Sequence, residues 1–424
     1  MKFKVFSLGC KVNSYECSAI SSTLLKLGYT QDNDNPDVVI INTCSVTATA
    51  DQKSRQHIRK FIKMYPNAVS VVMGCYSQGN YKYIAEEICP NILLGTSHRA
   101  EIPELINYYL STKKNIVKVE DNTRNYDYEE LGITSYTENV RAYLKIQDGC
   151  DNFCTYCLIP YRRGKMRSRK LENIIEETKY LISKGYKEII LTGIHVGGYG
   201  RDTNECSFSE LVEQLSNLEG LYSLRISSIE ASEIDSRLIE LIKNRANIAK
   251  HLHIPLQAGS NEILKRMNRK YSAEEFIEKI KTIRKEIPDV GITTDIIVGF
   301  PGETEDNFLD TIKVAKECFD QIHVFPYSAR EGTPAAKFPN QISPQVKNDR
   351  VARLMNVSNE LHNAFKNKMI GKEMKTLIEK YDEINDINYG KLTNYVEMEI
   401  RGLHSNQVGN VIDVKIDKSM IESK

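Results

Sequence analysis

Three cysteines in the middle of the chain constrain its interpretation more than any other feature. Cys150, Cys154 and Cys157 lie within eight residues, at the spacing C-x3-C-x2-C. Structural zinc sites are closed by four ligands, and no fourth cysteine or histidine lies nearby in the sequence. A 4Fe-4S cluster is normally held by four thiolates, so three would leave one iron open to chelate a small molecule. The spacing therefore predicts a reactive cluster. The alternatives are a zinc site with a distant fourth ligand, or reduced structural thiols.

Composition bounds the class of protein. The 424 residues are enough for two or three domains, and Lys+Arg 57 against Asp+Glu 56 give a net charge of +1. Overall charge therefore selects no partner, and any nucleic-acid surface must come from local clusters of charge. No apolar run has the length of a signal peptide or a membrane span. Ten cysteines in such a chain predict metal or redox chemistry in a cytoplasmic enzyme, which we expect to be a monomer.

The first part of the chain, residues 1–118, predicts a small parallel α/β domain. Short, β-rich apolar runs alternate with helical segments, as in doubly wound sheets. Three of the runs lead directly into Cys10, Cys44 and Cys75. Ligands bind outside the carboxyl ends of parallel strands, so we expect these thiols to converge on a second 4Fe-4S cluster. The alternative is three buried thiols that act as small hydrophobic groups. The remaining cysteines are interpreted as structural: Cys17, Cys89, Cys206 and Cys318.

Residues 136–366 predict a partial (β/α)6 barrel, which follows a polar connector at about 119–138. Six strand candidates alternate with amphipathic helical segments, and six βα units make a parallel barrel short of the usual eight. The candidates lie at 142–146, 188–192, 223–226, 252–256, 293–298 and 322–326.

Function in such barrels belongs to the C-terminal ends of the strands, and unusual residues follow several of the candidates. Thr192 and Gly193 open a Gly-rich stretch that lets backbone approach a ligand closely. Glu230 offers a carboxylate suited to an amine or a ribose hydroxyl, and Gln257 and Gly299 follow later strands. The alternative for each is an ordinary βα turn. The histidines nearby are interpreted as hydrogen-bonded barrel side chains, not metal ligands: His195, His251, His253 and His323.

The densest positive patch of the chain directly follows the central cysteines. It contains Arg162, Arg163, Lys165, Arg167 and Arg169. Lysine and arginine contacts with phosphates supply the sequence-independent part of nucleic-acid affinity. Its position beside the predicted reaction centre predicts contact with substrate RNA. The alternatives are a solvated, charged loop or an arginine contact with a cofactor carboxylate.

The last part of the chain, residues 369–424, predicts a small antiparallel β-barrel. Its short alternating runs are separated by Gly and Asn and follow a helix-rich connector. Acidic residues at 379–386 weaken the basic signal expected of an RNA-binding module. A barrel that only caps the structure is therefore the alternative.

Taken together, these segments resemble the methylthiotransferase family of radical S-adenosylmethionine enzymes. The C-x3-C-x2-C spacing is the signature of the larger superfamily. Residues 8–16 (LGCKVNSYE), 41–47 (INTCSVT) and 72–76 (VMGCY) resemble the N-terminal domain of the methylthiotransferases. The resemblance covers essentially the whole chain in the family's order: cluster domain, radical barrel and a TRAM-like, RNA-binding β-barrel.

The resemblance implies two 4Fe-4S clusters and S-adenosylmethionine as cofactors. The central cysteines would hold the cluster that cleaves S-adenosylmethionine, and the N-terminal cluster would supply or carry the inserted sulfur. Thr192 and Gly193 would meet the methionine moiety, while Tyr156 and the segment of Gly299 would lie on the adenine side. The implied radical removes hydrogen from adenine C2 of tRNA. A reductant such as flavodoxin or ferredoxin would be a partner.

Three stretches favour one branch of the family. Residues 10–13, 192–200 and 227–232 most resemble the bacterial enzymes that methylthiolate N6-threonylcarbamoyladenosine at tRNA position 37. The alternatives within the family act on isopentenyladenosine in tRNA or on an aspartate of a ribosomal protein. The latter usually carries Pro-Lys-Asn after the first cysteine, where this chain has Lys11-Val12-Asn13. The non-enzymatic alternative is an iron–sulfur RNA-binding sensor without turnover. The cofactor-pocket segments after several strands argue against it, because a sensor would not need them.

Overall fold

The computed structural model describes residues 1–121, 127–132 and 140–421. Much of the predicted connector at 119–138, the predicted start of the barrel domain at 136 and the last three residues lie outside the described residues. Within the described part of the chain, no helix combines the length and apolarity needed to cross a membrane.

The N-terminal part is a parallel sheet, as predicted, and it has six strands in the order β2-β1-β3-β4-β5-β6. Its central strands are continuous apolar runs, and helices cover both faces. The strands are β1 (Lys2–Ser7), β2 (Thr30–Gln31), β3 (Val38–Thr43), β4 (Val69–Gly74), β5 (Ile92–Leu94) and β6 (Ile116–Lys118). The helices are α1 (Lys11–Lys26), α2 (Ala48–Met64), α3 (Cys75–Tyr83) and α4 (Ile102–Thr112).

The central part is a partial barrel of six parallel strands, which confirms the predicted (β/α)6 architecture. Two three-stranded sheets, β11-β10-β7 and β12-β13-β14, are joined by parallel bridges from Leu224 to Ile248 and from Ser228 to His253. The strands of the barrel and of a small hairpin are β7 (Arg141–Lys145), β8 (Gln147–Asp148), β9 (Arg167–Ser168), β10 (Glu188–Thr192), β11 (Ser223–Ile226), β12 (His251–His253), β13 (Gly291–Val298) and β14 (Gln321–Pro326).

Helices pack around the outside of this barrel and share one continuous core with it. They are α6 (Leu171–Ser183), α7 (Phe208–Ser216), α8 (Ser236–Asn244), α9 (Asn261–Arg266), α10 (Ala273–Glu286), α11 (Glu305–Cys318) and α12 (Pro344–Asn367). The short helix α5 (Ile159–Arg163) follows the central cysteines and contacts α3 of the N-terminal part. β12 is shorter than the predicted run 252–256, and Pro255, which has no backbone N–H to donate, lies just beyond it.

The C-terminal part, predicted as a small antiparallel β-barrel, is a four-stranded antiparallel sheet with strand order β17-β16-β15-β18. It covers the amino-terminal ends of the barrel strands: Arg225 Nη1 donates to the Thr393 carbonyl at 3.3 Å, and Asn394 donates to the Asp289 carbonyl at 3.2 Å. This sheet therefore closes the barrel at the end opposite the cysteine loop. Its elements are β15 (Glu373–Asp382), β16 (Ile387–Leu392), β17 (Glu397–Arg401), β18 (Val411–Lys415) and α13 (Lys418–Ile421).

Candidate functional site

The three N-terminal cysteines lie at the carboxyl ends of neighbouring strands. Cys10, Cys44 and Cys75 follow β1, β3 and β4, which are adjacent in the sheet. Gly9 has φ +101, and a Cβ there would stand 2.5 Å from the Cys44 Sγ, so glycine is needed for this approach. Burial, and then the neighbouring Cys75 and Cys10 thiols, raise the pKa of Cys44 to about 11. The three thiols are therefore near enough to influence one another's ionisation.

Side-chain hydrogen bonds tie these three strand ends together. Asn13 Nδ2 donates to the carbonyls of Leu8 at 2.7 Å and Thr43 at 3.1 Å. The Thr43 hydroxyl in turn donates to the Met73 carbonyl at 2.6 Å. Three thiols held together on three braced loops fit the ligand set of a cluster with one open iron.

The central cysteine loop leaves the barrel through the hairpin of β8 and β9. Gly149 has φ +74, and a Cβ there would overlap the Lys165 carbonyl, so the hairpin needs glycine at its exit. Burial, and then the Cys154 and Cys150 thiols, raise the pKa of Cys157 to about 12. These three thiols are also near enough to influence one another's ionisation, and we expect them to form the second three-thiol ligand set.

Residues 266–268 hold the backbone of this loop. Thr155 N donates to the Met267 carbonyl at 3.1 Å, and Asn268 Nδ2 donates to the Phe153 carbonyl at 3.1 Å. Phe153 has φ +47, which is rare for an aromatic residue, and its side chain is exposed. Backbone strain of this kind persists only where surrounding contacts impose it, and it concentrates at functional sites.

A cavity of about 210 Å³ opens beside Cys154 and is lined by His195, Glu230, Glu233 and Arg269. Arg269 Nη1 lies 3.6 Å from the Cys154 Sγ, and its guanidinium also pairs with Glu230. His195 Nε2 lies 2.7 Å from the Glu233 carboxylate. Carboxylates and a guanidinium beside a thiol suit the ammonium and carboxylate of an amino acid. The predicted Glu230 therefore lies in a cavity whose charged lining suits the amino-acid end of a cofactor.

A second cavity, of about 200 Å³, lies between the N-terminal part and the barrel. Ser45 and Thr47, which follow Cys44, line one side, and Tyr156 and Cys157 line the other. Gln257 is also part of the wall. This cavity, here called the shared cavity, is bordered by residues next to both cysteine sites.

Three predicted cofactor contacts, Thr192, Gly193 and Gly299, are not among the residues that line these two cavities. Thr192 is buried at the end of β10, and Gly193 lies against Gln147, whose Oε1 accepts the backbone N–H of His195 at 2.7 Å. Gly299 has φ +71 and lies against Lys347 of α12. Gln147 was not predicted as a site residue. Its buried side-chain amide connects the start of the cysteine loop to the glycine-rich turn after β10.

The predicted RNA contacts separate into buried and exposed residues. Arg163 is completely buried and donates to the Cys75 Sγ at 3.2 Å and to Glu16 at 2.8 Å. Arg169 is buried and pairs with Glu130 and Glu177. A role in RNA contact does not fit the burial of these two arginines, because their guanidinium groups already have carboxylate partners.

The other basic residues differ in exposure. Arg162 packs against Gly79, and burial lowers its pKa. Arg167 is half-buried, with its guanidinium 3.8 Å from Asp148. Lys165 is exposed and lines a groove of about 770 Å³ together with Lys170.

Comparison with known proteins identifies the families and folds that this chain resembles. The chain matches the Radical SAM superfamily model over residues 144–315 and the model described as Uncharacterized protein family UPF0004 over residues 2–95. The radical methyltransferase TsrM from Kitasatospora setae, with cobalamin and a [4Fe-4S] cluster bound, has a TM-score of 0.60 at 11% identity, covering 79% of this chain and 73% of that one. That likeness shows a shared fold. Fold and site define a radical S-adenosylmethionine protein.

Similarity to curated relatives is higher. The chain is 42% identical to the threonylcarbamoyladenosine tRNA methylthiotransferase MtaB of Bacillus subtilis, covering 97% of this chain and 93% of the relative. It is 35% identical to the MtaB of Aquifex aeolicus, covering 98% and 100%. It is 37% identical to the tRNA-2-methylthio-N(6)-dimethylallyladenosine synthase of Thermoanaerobacter pseudethanolicus, covering 89% and 82%. The chain belongs to the tRNA methylthiotransferase family, as its motifs predicted.

Single cysteine substitutions should separate the two sites. We expect Cys154→Ala and Cys44→Ala each to remove about half of the iron, because each breaks one three-thiol ligand set. Only Cys154→Ala should also abolish cleavage of S-adenosylmethionine to 5′-deoxyadenosine. Iron analysis and chromatography of the cleavage products measure both effects. Cys89→Ala, at an exposed thiol, is the matched control. Full iron content in either variant would contradict the assignment.

Proposed function

We propose that this protein methylthiolates tRNA by replacing the hydrogen on C2 of N6-threonylcarbamoyladenosine at position 37 with a methylthio group. The observation that carries the proposal is the similarity, over 97% of the chain, to a relative named for this modified base. The arrangement of two cysteine sites around one cavity supports the proposal, because sulfur insertion requires both cysteine sites to be near the same carbon atom of the substrate.

The enzyme uses S-adenosylmethionine and two 4Fe-4S clusters. When bound, these groups supply the hydrogen-abstracting radical, the sulfur and the methyl group. Radical chemistry suits this substrate because an aromatic C–H carries no acidic proton for a general base. The task of the protein's own residues is therefore to bind, orient and exclude water.

We assign the central cysteines to the cluster that binds S-adenosylmethionine and the N-terminal cysteines to the second cluster. In the cavity beside Cys154, Glu230 would bind the ammonium group of the cofactor and Arg269 its carboxylate. The Arg269 guanidinium already contacts Glu230, so both groups are oriented before the cofactor arrives. Thr192 and Gly193 at the end of β10 would support the same moiety through their backbone.

The shared cavity is where the target adenosine would enter. Tyr156, Ile297 and Phe325 offer apolar surface for a base, and Gln257 and Arg330 offer hydrogen-bonding groups at its edge. Arg330 is fixed by donating to the Ser45 carbonyl at 3.1 Å. That contact holds the loop after Cys44 against the barrel.

Lys165 and Lys170 are the basic residues best placed to contact tRNA phosphates. Both are exposed in the groove that follows the cysteine loop. The double change Lys165→Ala and Lys170→Ala should weaken tRNA binding. It should also make the slope of log affinity against log salt concentration shallower by about one to two, because one or two phosphate contacts are lost. Fluorescence binding titrations at several salt concentrations measure this. Lys313→Ala, at an exposed lysine on α11, is the control, and equal affinities would contradict the assignment.

A defined substrate pair tests the modified base. Reconstituted enzyme should add the methylthio group to tRNA carrying N6-threonylcarbamoyladenosine, and at least tenfold more slowly to tRNA carrying isopentenyladenosine, because one lost buried polar contact changes rates by about this factor or more. Nucleoside mass spectrometry measures both products. Preference for isopentenyladenosine would contradict the choice of branch. No methylthio product on either tRNA would contradict tRNA modification itself.

We also infer that a flavodoxin or ferredoxin supplies electrons, and that the enzyme acts as a cytoplasmic monomer. Replacing dithionite by a reduced flavodoxin or ferredoxin in the same assay tests the donor, and no turnover with either contradicts it. Light scattering measures the mass of the reconstituted enzyme in solution, and a mass of two chains would contradict the monomeric state.

A further inference from the structure

Three metal-ligating side chains lie together on neighbouring strands of the barrel. His253 on β12, Asp295 on β13 and His323 on β14 present their ligand atoms within 4.8 Å of one another. His253 Nε2 lies 3.4 Å and His323 Nδ1 lies 3.3 Å from the same oxygen, Asp295 Oδ1. None of these residues belongs to either cysteine site.

The distances between these atoms are long for hydrogen bonds. A charge-assisted bond from imidazole to carboxylate measures about 2.7–2.9 Å. Ligand atoms at the corners of a tetrahedron around a metal with bonds of 2.0–2.1 Å are about 3.3–3.4 Å apart. The two observed distances therefore match the edges of a coordination tetrahedron.

The surroundings of His253 also suit a metal ligand. Its other ring nitrogen, Nδ1, lies 2.9 Å from the Thr293 hydroxyl, which also lies 3.0 Å from His251 Nε2. A ligating histidine usually makes such a second hydrogen bond, which fixes its ring and leaves the opposite nitrogen for the metal. His323 is 46% exposed, so one side of the cluster is accessible.

We propose that His253, Asp295 and His323 bind one divalent cation, with zinc as the best-fitting ion. Two imidazoles and one carboxylate are a ligand set of zinc sites that keep one coordination position open. Asp295 also lines the shared cavity, so the ion lies on the wall of that cavity. An oxygen atom of water or of a bound molecule completes the coordination. This site stands independently of methylthio transfer.

Zinc binding to the holoenzyme tests the proposal. Enzyme with both clusters reconstituted is incubated with zinc sulfate, desalted and measured for zinc, and its zinc is examined by X-ray absorption at the zinc edge. We expect about one zinc per chain, with nitrogen and oxygen ligands, imidazole scattering and no sulfur. Competition with a chromophoric chelator should show more than about tenfold weaker binding in His323→Ala and Asp295→Asn.

His404→Ala, at an exposed histidine in the connection between β17 and β18, is the matched control and should bind zinc as the wild type does. Unchanged cluster absorbance shows that each variant is folded. Zinc with sulfur ligands, or equal affinity in His323→Ala, would overturn the proposal. Failure to retain zinc would also overturn the proposal. It would rule out iron(II) at this site as well, because the same ligands bind iron(II) more weakly than zinc.

Discussion

A buried set of ion pairs joins the two cysteine sites, and the position of the shared cavity depends on it. Glu16 on α1 and Asp148 in the cysteine-loop hairpin pair with Arg99, Lys145 and Arg163, all of them buried. Burial alone would raise the pKa of Glu16, but the neighbouring cations hold it well below its usual range. Removing one member of such a buried set costs about 3–5 kcal/mol, because its partners stay buried and unpaired.

Arg163 connects this ion-pair set to the chemistry. Arg163 is the last residue of α5, the helix that follows the central cysteines. Its Nε donates to the Sγ of Cys75 in the N-terminal part at 3.2 Å. One side chain thus links the loop of one predicted cluster to a ligand of the other. Burial raises the pKa of the Cys75 thiol, and the Arg163 guanidinium partly opposes this by favouring the thiolate, which is the form that binds iron. The N-terminal part is therefore positioned by charge as well as by apolar packing.

Much of the fold was predictable because its signals are local. Apolar runs that end at cysteines located β1, β3 and β4, and the spacing of the central cysteines indicated their loop. The short strands β2, β5 and β6 were not predicted, because two or three residues carry no recognisable pattern. The C-terminal sheet was predictable from its alternating residues, but its place at the closed end of the barrel was not.

The candidate site was only partly predictable, because a sequence shows charges without their partners. Arg163 looked like a surface arginine, since Glu16, its partner, lies 147 residues away. Likewise His253, Asp295 and His323 come together only because β12, β13 and β14 are neighbours in the barrel. The resemblance to the family implies that Gly299 lies on the adenine side, and the structure adds that this glycine lies against α12.

The central claim is that two separate cysteine sites act on one tRNA nucleoside. Mass spectrometry of tRNA nucleosides from cells that carry Cys44→Ala or Cys154→Ala in the chromosomal copy tests it most directly. The account predicts that either change alone removes the 2-methylthio group from N6-threonylcarbamoyladenosine, leaving the unthiolated nucleoside to accumulate. Normal levels of the methylthio nucleoside in either strain would contradict it.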